Sequence, residues 1–211
     1  MADFKVEKRV LSQTIRTIAG VDEAGRGALF GPVVAAAVVL PSRWMSRPVK
    51  GWLRDVDDSK ILSPLKRKEL ARSILAEADS VGVGLATSRE IDEKNIYWAS
   101  LEAMKRAVEN LELRPDFLLI DGFKHRESSF GCPHLGITGG DRKSLSVAAA
   151  SIMAKVVRDE MMQRLEDLFG GYHLARNKGY GTRAHYRALR EKGPTSLHRR
   201  TFNLEGKAGW K

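Results

Sequence analysis

Two adjacent carboxylates, Asp22 and Glu23, follow a short apolar run and precede the turn Gly25-Arg26-Gly27. Neighbouring side chains of a strand point to opposite faces, so both acids can bind one metal ion only if the strand ends or distorts there. The glycines allow the backbone to bend and to approach a ligand closely, and the arginine carries a fork-shaped cation suited to phosphate. This combination indicates metal-dependent hydrolysis of a nucleic acid. A strand that simply ends in a polar turn is the alternative interpretation.

Two further acids are candidates for the same site. Asp121 follows the apolar run Phe117–Ile120 and precedes a glycine, as expected for a buried strand that delivers a carboxylate to one edge of a sheet. An Asp-Gly turn would give the same pattern. Asp159 lies on a long predicted helix, where Ser151, Lys155 and Asp159 share one face at four-residue spacing. Small residues before Ser151 would let the helix approach the sheet, which favours Asp159 as a ligand, and a plain ion pair with Lys155 is the alternative.

Four carboxylates without partner histidines or cysteines favour a hard cation, Mg²⁺ or Mn²⁺, over zinc. His125, Cys132 and His134 lie near one another in the sequence. One thiol and two histidines without repeated spacing make a poor zinc site, so we expect no zinc there.

A glycine-rich loop precedes the long helix. Lys143 and Ser144 follow Gly139-Gly140, which superficially resembles a nucleotide phosphate loop. Arg142 stands where that motif requires glycine, so a nucleoside-triphosphate site is excluded. Because the loop opens a helix, it could still contact a phosphate of a polymer.

The positive charge is concentrated at the C-terminus. The chain of 211 residues has a net charge of +10, and residues 171–211 hold ten lysines and arginines against two glutamates. This asymmetry favours a polyanion site there, and the interleaved tyrosines argue against a disordered basic tail. A basic nucleic-acid-binding module with purely structural acids would explain the charge equally well, but not the acids Asp22, Glu23 and Asp121.

Other bulk properties indicate the compartment. Cys132 is the single cysteine, and the sequence has neither an apolar run long enough for a membrane span nor a signal-like N-terminus. We therefore expect a cytoplasmic protein that does not bind membranes. We also expect it to be a monomer.

Strand and helix patterns alternate along the chain. Strands are predicted at residues 17–21, 33–40, 81–86, 117–120 and 135–138, and helices from Ser63-Pro64 to about residue 78 and over residues 91–111, 144–168 and 182–191. This order predicts an α/β fold with a mixed sheet flanked by helices. We expect a catalytic domain at residues 1–170 and a small basic helical segment at residues 171–211 that packs on it.

Five sequence blocks together resemble the bacterial type 2 ribonucleases H, known as ribonuclease HII. They occur in the order of that family, cover residues 17–202, and consist of Gly20-Val21-Asp22-Glu23-Ala24-Gly25-Arg26-Gly27, Asp58-Ser59-Lys60-Ile61-Leu62-Ser63, Gly140-Asp141-Arg142-Lys143-Ser144, the helix segment from Ala149 to Asp159, and Asn177-Lys178-Gly179-Tyr180-Gly181-Thr182 with His198-Arg199-Arg200-Thr201-Phe202 after it. Ile61 and Gly139 depart from the family pattern, and neither departure touches the acids.

The resemblance implies a ribonuclease H-like fold and an endonuclease that cuts the RNA strand of RNA–DNA hybrids. It also implies cutting 5′ of ribonucleotides embedded in duplex DNA, leaving 3′-hydroxyl and 5′-phosphate ends. The sister type, ribonuclease HIII, carries an additional N-terminal domain, which the roughly 16 residues before the first motif cannot form.

The resemblance also assigns residues to roles. Asp22, Glu23, Asp121 and Asp159 carry over as the acids that bind Mn²⁺ or Mg²⁺, Gly25-Arg26-Gly27 as the turn that recognises the 2′-hydroxyl, and Tyr180 as the residue that packs on the adjoining deoxyribose. Lys60, Asn95, Lys143, Ser144 and Arg183 are further candidates for contacts with the substrate, because they are cationic or polar residues in loops or at helix ends.

Overall fold

The computed structural model describes residues 2–122 and 130–206. Among these residues the helices are α1 (Lys5–Val10), α2 (Ser42–Met45), α3 (Pro64–Glu77), α4 (Ser88–Glu109), α5 (Leu145–Leu168), α6 (Leu174–Asn177) and α7 (Arg183–Lys192). The strands are β1 (Ile18–Ala24), β2 (Val33–Val39), β3 (Ser80–Ala86), β4 (Phe117–Asp121) and β5 (His134–Ile137). Short 3₁₀ helices lie at Gly51–Asp55 and Gly140–Arg142. His125 lies outside the described residues.

The five strands form one mixed sheet in the order β3-β2-β1-β4-β5. Strands β1, β2 and β3 pair antiparallel, whereas β4 runs parallel to both β1 and β5. The mixed sheet expected from the sequence is therefore confirmed. Strand β1, which carries the first two acids, lies in the middle of the sheet.

Helices α4 and α5 cover opposite faces of the sheet at very short distance. A Cβ added to Gly20 of β1 would lie 2.0 Å from the backbone carbon of Ser146 in α5, and one added to Gly82 of β3 would lie 2.1 Å from the carbonyl oxygen of Ala107 in α4. The alanines at the start of α5 are completely buried. The close approach of α5 that its small residues predicted is therefore present, and it brings the start of this helix against β1.

The five predicted strands and four predicted helices are present, and α1 and α6 are short helices outside the predicted ranges. Three other local differences concern β1, residues 41–58 and α4. Strand β1 continues to Ala24, three residues beyond its predicted end, so the two acids lie within the strand. The region predicted as a loop at residues 41–58 contains α2 and a 3₁₀ helix. Helix α4 is kinked at Asn95, whose φ is 67°, and the Asn95 side chain accepts a hydrogen bond from the backbone N–H of Tyr97 at 2.9 Å.

The C-terminal segment packs against β-sheet loops and α5 through an apolar cluster. The cluster comprises Leu29, Phe30, Met162, Tyr172, Leu174, Ala188 and Leu189. A domain boundary at residue 170 stays a prediction. Across the part of the chain that the structure describes, no helix has both the length and the apolar character needed to cross a membrane.

Candidate active site

The register of β1 and β4 brings two acids together. These strands are parallel, with Val21 opposite Ile120, so the next residues, Asp22 and Asp121, lie side by side on the same face. That face is the one covered by α5, because Gly20, two residues before Asp22, contacts the start of this helix. The two acids predicted to meet at the sheet edge therefore do so.

Asp141 is the third member of this carboxylate group. One carboxylate oxygen from each of Asp22, Asp121 and Asp141 lies within 4.8 Å of the others. Gly139, with φ 65°, turns the chain after β5, and the N–H of Gly140 donates to Asp121 Oδ1 at 2.6 Å. This bond places Asp141 at the strand ends just before α5 begins. The sequence interpretation did not identify Asp141 as a candidate for the site. The signal that could have identified it is a glycine pair followed by an acid, Gly139-Gly140-Asp141, between a predicted strand and a predicted helix.

The structure places Asp159 outside this carboxylate group, so the predicted ligand set requires a correction. Asp159 Oδ1 accepts a hydrogen bond from Lys155 Nζ at 2.7 Å, and Asp159 Oδ2 lies 3.7 Å from Arg67 Nη2. The physical reason is helix length, because Asp159 lies two turns, or about 12 Å, beyond Ser151 along α5. The ion pair with Lys155 was the alternative interpretation of this spacing, and it is the one observed.

Glu23 lies beside the group without joining it. Glu23 follows Asp22 in β1, and its backbone N–H donates to Asp22 Oδ1 at 2.7 Å. Glu23 Oε1 lies 3.3 Å from Arg26 Nη1, whereas Glu23 Oε2 is buried without a hydrogen-bond partner among the described residues. Burial raises the pKa of Glu23, Arg26 lowers it, and Asp121 raises it further, so that the net change is upward.

The acids destabilise one another when they are ionised. Burial raises the pKa of Asp22 well above its ordinary value, and the charges of Glu23 and Asp121 raise it further, against a hydrogen bond from Ser151. Burial and the charge of Asp121 likewise raise the pKa of Asp141. A divalent cation would relieve this repulsion, and a purely carboxylate donor set with an unsatisfied buried oxygen suits a hard cation. The residues present therefore fit a magnesium-type site.

The loop before α3 supplies a cation at the edge of the group. Lys60 Nζ lies 3.7 Å from Asp141 Oδ2, and its side chain is 75% exposed. The Ser59 hydroxyl lies 3.0 Å from that of Ser151, inside the protein. Asp58 accepts a hydrogen bond from Arg142 at 3.0 Å. These contacts hold Lys60 next to the acids with its ammonium group facing solvent.

The glycine turn and Tyr180 lie against each other. Ala28, directly after the turn, forms a β-bridge with Tyr180. Gly25 has φ 96°, and a Cβ there would lie 1.9 Å from Arg158 Nε. A Cβ at Gly27, in contrast, would have no atom of the described residues within 4 Å. The turn therefore exposes bare backbone to solvent beside a half-buried tyrosine.

The order of these features along the chain is that of a known family. The profile of a family described as Ribonuclease HII matches residues 19–205. The chain belongs to the ribonuclease HII family. A ribonuclease HII of Dehalococcoides mccartyi is 48% identical over 197 residues, which cover 93% of this chain and 90% of that protein. One of Geotalea uraniireducens is 50% identical over 199 residues, covering 94% and 88% respectively.

Solved structures agree with this assignment. The ribonuclease H2 of Pyrococcus horikoshii OT3 superposes with a TM-score of 0.73 at 28% identity, covering 90% of this chain and 95% of that one. The resemblance and the ribonuclease H-like fold expected from the sequence are thus confirmed. As a member of the ribonuclease HII family, the chain is a ribonuclease, and the divalent-metal dependence of that class fits its acidic cluster.

Because a ribonuclease HII must contact nucleic acid, exposure decides among the remaining predicted contact residues. Asn95, Lys143 and Arg183 are exposed, with Arg183 at the start of α7 and Lys143 donating to the carbonyl of Thr138 at 2.8 Å. The substrate contact predicted for Ser144 is wrong, because this residue is completely buried.

The role of Ser144 is instead structural. Its hydroxyl donates to Glu7 Oε1 at 2.7 Å and accepts a hydrogen bond from the N–H of Val147 at 3.2 Å. Ser144 thus caps α5 and ties the start of this helix to α1. Its position beside Lys143 in a glycine-rich loop resembled a phosphate contact, but the loop turns this hydroxyl inward.

Proposed function

We propose that the chain hydrolyses the RNA strand of RNA–DNA hybrids and nicks duplex DNA on the 5′ side of embedded ribonucleotides, leaving 3′-hydroxyl and 5′-phosphate ends. The observation that carries this proposal is the group formed by Asp22, Asp121 and Asp141, because Asp22 lies on β1, the strand that leads directly into the exposed glycine turn. Acids able to hold a cation are thereby joined to backbone that can approach a ribose closely.

The cation that we propose is Mg²⁺ or Mn²⁺, held by Asp22, Asp121 and Asp141, with the free oxygen of Glu23 as an additional donor. When bound, such ions supply an activated water and stabilise the leaving 3′-oxygen. The chain itself contributes orientation. The N–H of Gly140 holds Asp121, and Ser151 holds Asp22, so two of the carboxylates keep their positions before any ligand arrives.

Selection of ribose depends on the 2′-hydroxyl, which is the local difference between RNA and DNA. We assign its recognition to the turn Gly25-Arg26-Gly27, whose backbone is uncovered at Gly27. Tyr180 is half-buried beside this turn, with Lys155 Nζ 5.6 Å and the Arg158 guanidinium 5.4 Å from its ring centre. A ring supported in this way offers a flat apolar surface to the neighbouring deoxyribose, which carries no 2′-hydroxyl.

Exposed cations extend the surface along a duplex. Lys60 lies next to the acids, and Lys143 and Arg183 are exposed candidates for phosphates farther along, as is the amide of Asn95. We further propose that the protein works as a monomer in the cytoplasm, where it would remove ribonucleotides from DNA.

A cleavage assay tests the proposed function. A labelled DNA duplex with one ribonucleotide and an RNA–DNA hybrid are incubated with the protein and Mg²⁺ or Mn²⁺, using Asp22→Asn as the control for contaminating nucleases. We expect one nick 5′ of the single ribonucleotide, multiple cuts in the hybrid, and no cutting with EDTA. Cutting that survives EDTA or occurs equally with Asp22→Asn, or no cutting by the wild-type protein, would refute the proposal.

A further inference from the structure

Arg199 is completely buried, and its hydrogen bonds go to backbone carbonyls. Its Nη1 donates to the carbonyl of Arg26 at 2.8 Å, and its Nε donates to that of Gly31 at 3.0 Å. Burial and the nearby charge of Arg158 lower the pKa of Arg199 to about 9. A buried guanidinium bound to neutral oxygens is costly to maintain. Its bond to Arg26 shows what it holds, which is the backbone of the glycine turn.

The residue before it, His198, leads to Tyr180 through a chain of hydrogen bonds. The backbone N–H of Thr195 donates to His198 Nδ1 at 2.9 Å, so this nitrogen is an acceptor. In a neutral ring the proton is then on Nε2, which faces His185 Nε2 at 3.1 Å. His185 must accept there, and its Nδ1–H therefore donates to the carbonyl of Tyr180 at 3.0 Å. The geometry thus assigns one tautomer to each ring and requires both to be neutral.

We propose that His198 and Arg199 are positioning residues that hold the two sides of the ribonucleotide site in register, Arg199 through the backbone of Arg26 and His198 through His185 and the backbone of Tyr180. This inference rests on the proposed function. Neither side chain touches the reacting atoms. His198 and Arg199 are adjacent residues of one turn. Through them, two segments that are distant in sequence, residues 25–31 and residues 177–185, are joined.

The contacts around the pair limit the ways in which these segments can move. The N–H of Arg199 donates to the carbonyl of Leu29 at 2.9 Å, and the N–H of Leu29 donates to the carbonyl of Gly179 at 2.8 Å. The C-terminal turn, the segment after the glycine turn and the segment before Tyr180 thus form one hydrogen-bonded unit. Recognition of a single hydroxyl depends on such placement, because a shift of about 1 Å can lower a rate by about 100-fold.

The variant Arg199→Lys tests the proposal, with Arg200→Lys as a matched control at the neighbouring exposed position. Lysine keeps the positive charge but cannot bridge two carbonyls with a planar fork. We expect Arg199→Lys to lower kcat on a duplex with one ribonucleotide by about 10-fold or more, with KM changed much less. A continuous RNA strand presents a 2′-hydroxyl at every position, so the loss on a hybrid should be several times smaller.

The outcomes separate this proposal from the proposed function. If the wild-type protein cuts neither substrate, the proposed function fails. If the wild-type protein and Arg200→Lys cut both, and Arg199→Lys loses activity equally on both substrates or on neither, the positioning role is refuted. Thermal denaturation of each variant identifies a loss that is due only to unfolding.

A second measurement applies to the wild-type protein and does not depend on activity or on a variant that folds. Long-range ¹H–¹⁵N correlation spectra of the histidine rings at neutral pH report which nitrogen carries the proton. We expect the proton on Nε2 of His198 and on Nδ1 of His185. A proton on Nε2 of His185, or a doubly protonated ring, would break the link to Tyr180 and overturn the proposal.

Discussion

Replacement of Gly25 by alanine should destabilise the protein severely, for two reasons that the structure makes explicit. The residue has φ 96°, a conformation that alanine adopts only with a strain of about 1–2 kcal/mol. The new Cβ would also lie 1.9 Å from Nε and 2.5 Å from Cδ of Arg158, so this side chain must move.

Movement of Arg158 has a large energetic consequence. Its guanidinium is completely buried and donates to the carbonyls of Phe30, Pro32 and Lys178 at 2.8–3.1 Å. A hydrogen bond with a charged partner is worth about 1.5–3 kcal/mol, and an unsatisfied buried donor adds to the loss. With one such bond broken and the backbone strain included, we expect Gly25→Ala to lose about 3–5 kcal/mol of unfolding free energy.

Urea denaturation followed by circular dichroism measures this loss, and Gly27→Ala is the matched control. Gly27 lies in the same turn, but its φ is outside the left-handed range and its surroundings within the described residues are open. We expect Gly27→Ala to change stability by less than about 1 kcal/mol. Equal destabilisation by the two substitutions, or a loss below about 1 kcal/mol for Gly25→Ala, would refute the argument from strain and burial.

Three further outcomes follow from the structure. Burial, with the charges of His185 and Arg200, lowers the pKa of His198 to about 4, so the unfolded chain binds the additional proton first as pH falls. The unfolding free energy should therefore decrease from about pH 6.5 towards pH 4, with a contribution of at most about 3 kcal/mol from His198. In pH-resolved urea titrations His198→Gln should reduce this dependence, to which His185 also contributes because burial lowers its pKa. Ser144→Ala removes a cap of α5 and a buried hydrogen bond to Glu7, so it should lower the unfolding free energy by about 1–3 kcal/mol without raising KM for the duplex. A raised KM at unchanged stability would restore the predicted substrate contact. Addition of Mg²⁺ or Mn²⁺ to metal-free protein should raise its melting temperature, because the cation relieves repulsion among buried carboxylates, and the same rise with Asp22→Asn would place the binding elsewhere.

Much of the architecture could be predicted from local pattern. The apolar runs of β2 and β4 and the alanine-rich start of α5 determine their own burial, and the cap residue Ser63 with Pro64 marks the start of α3. The pairing of Asp22 with Asp121 was predictable as well, because strands that end in an acid tend to meet at one edge of an α/β sheet.

The presence of Asp141 in the carboxylate group, and the position of Asp159 outside it, were not predictable in the same way. Helical spacing shows that Asp159 shares a face with Ser151, but not how far along the helix the sheet edge lies. The position of Asp141 depends on a left-handed residue at Gly139 and on one hydrogen bond between Gly140 and Asp121, and both result from tertiary packing. Likewise, sequence alone does not show that the Ser144 hydroxyl points towards Glu7, because these residues are far apart in the chain.

The assignment of Asp141 to the metal site is the central claim of this account, and paired variants test it most directly. Asp141→Asn and Asp159→Asn are compared for Mn²⁺ binding by calorimetry and for cleavage of a duplex with one ribonucleotide. We expect Asp141→Asn to weaken both by more than about 100-fold and Asp159→Asn to weaken them by no more than about 10-fold, since Asp159 is already paired with Lys155 and Arg67. Loss of metal binding and cleavage in Asp159→Asn, with both retained in Asp141→Asn, would contradict the account.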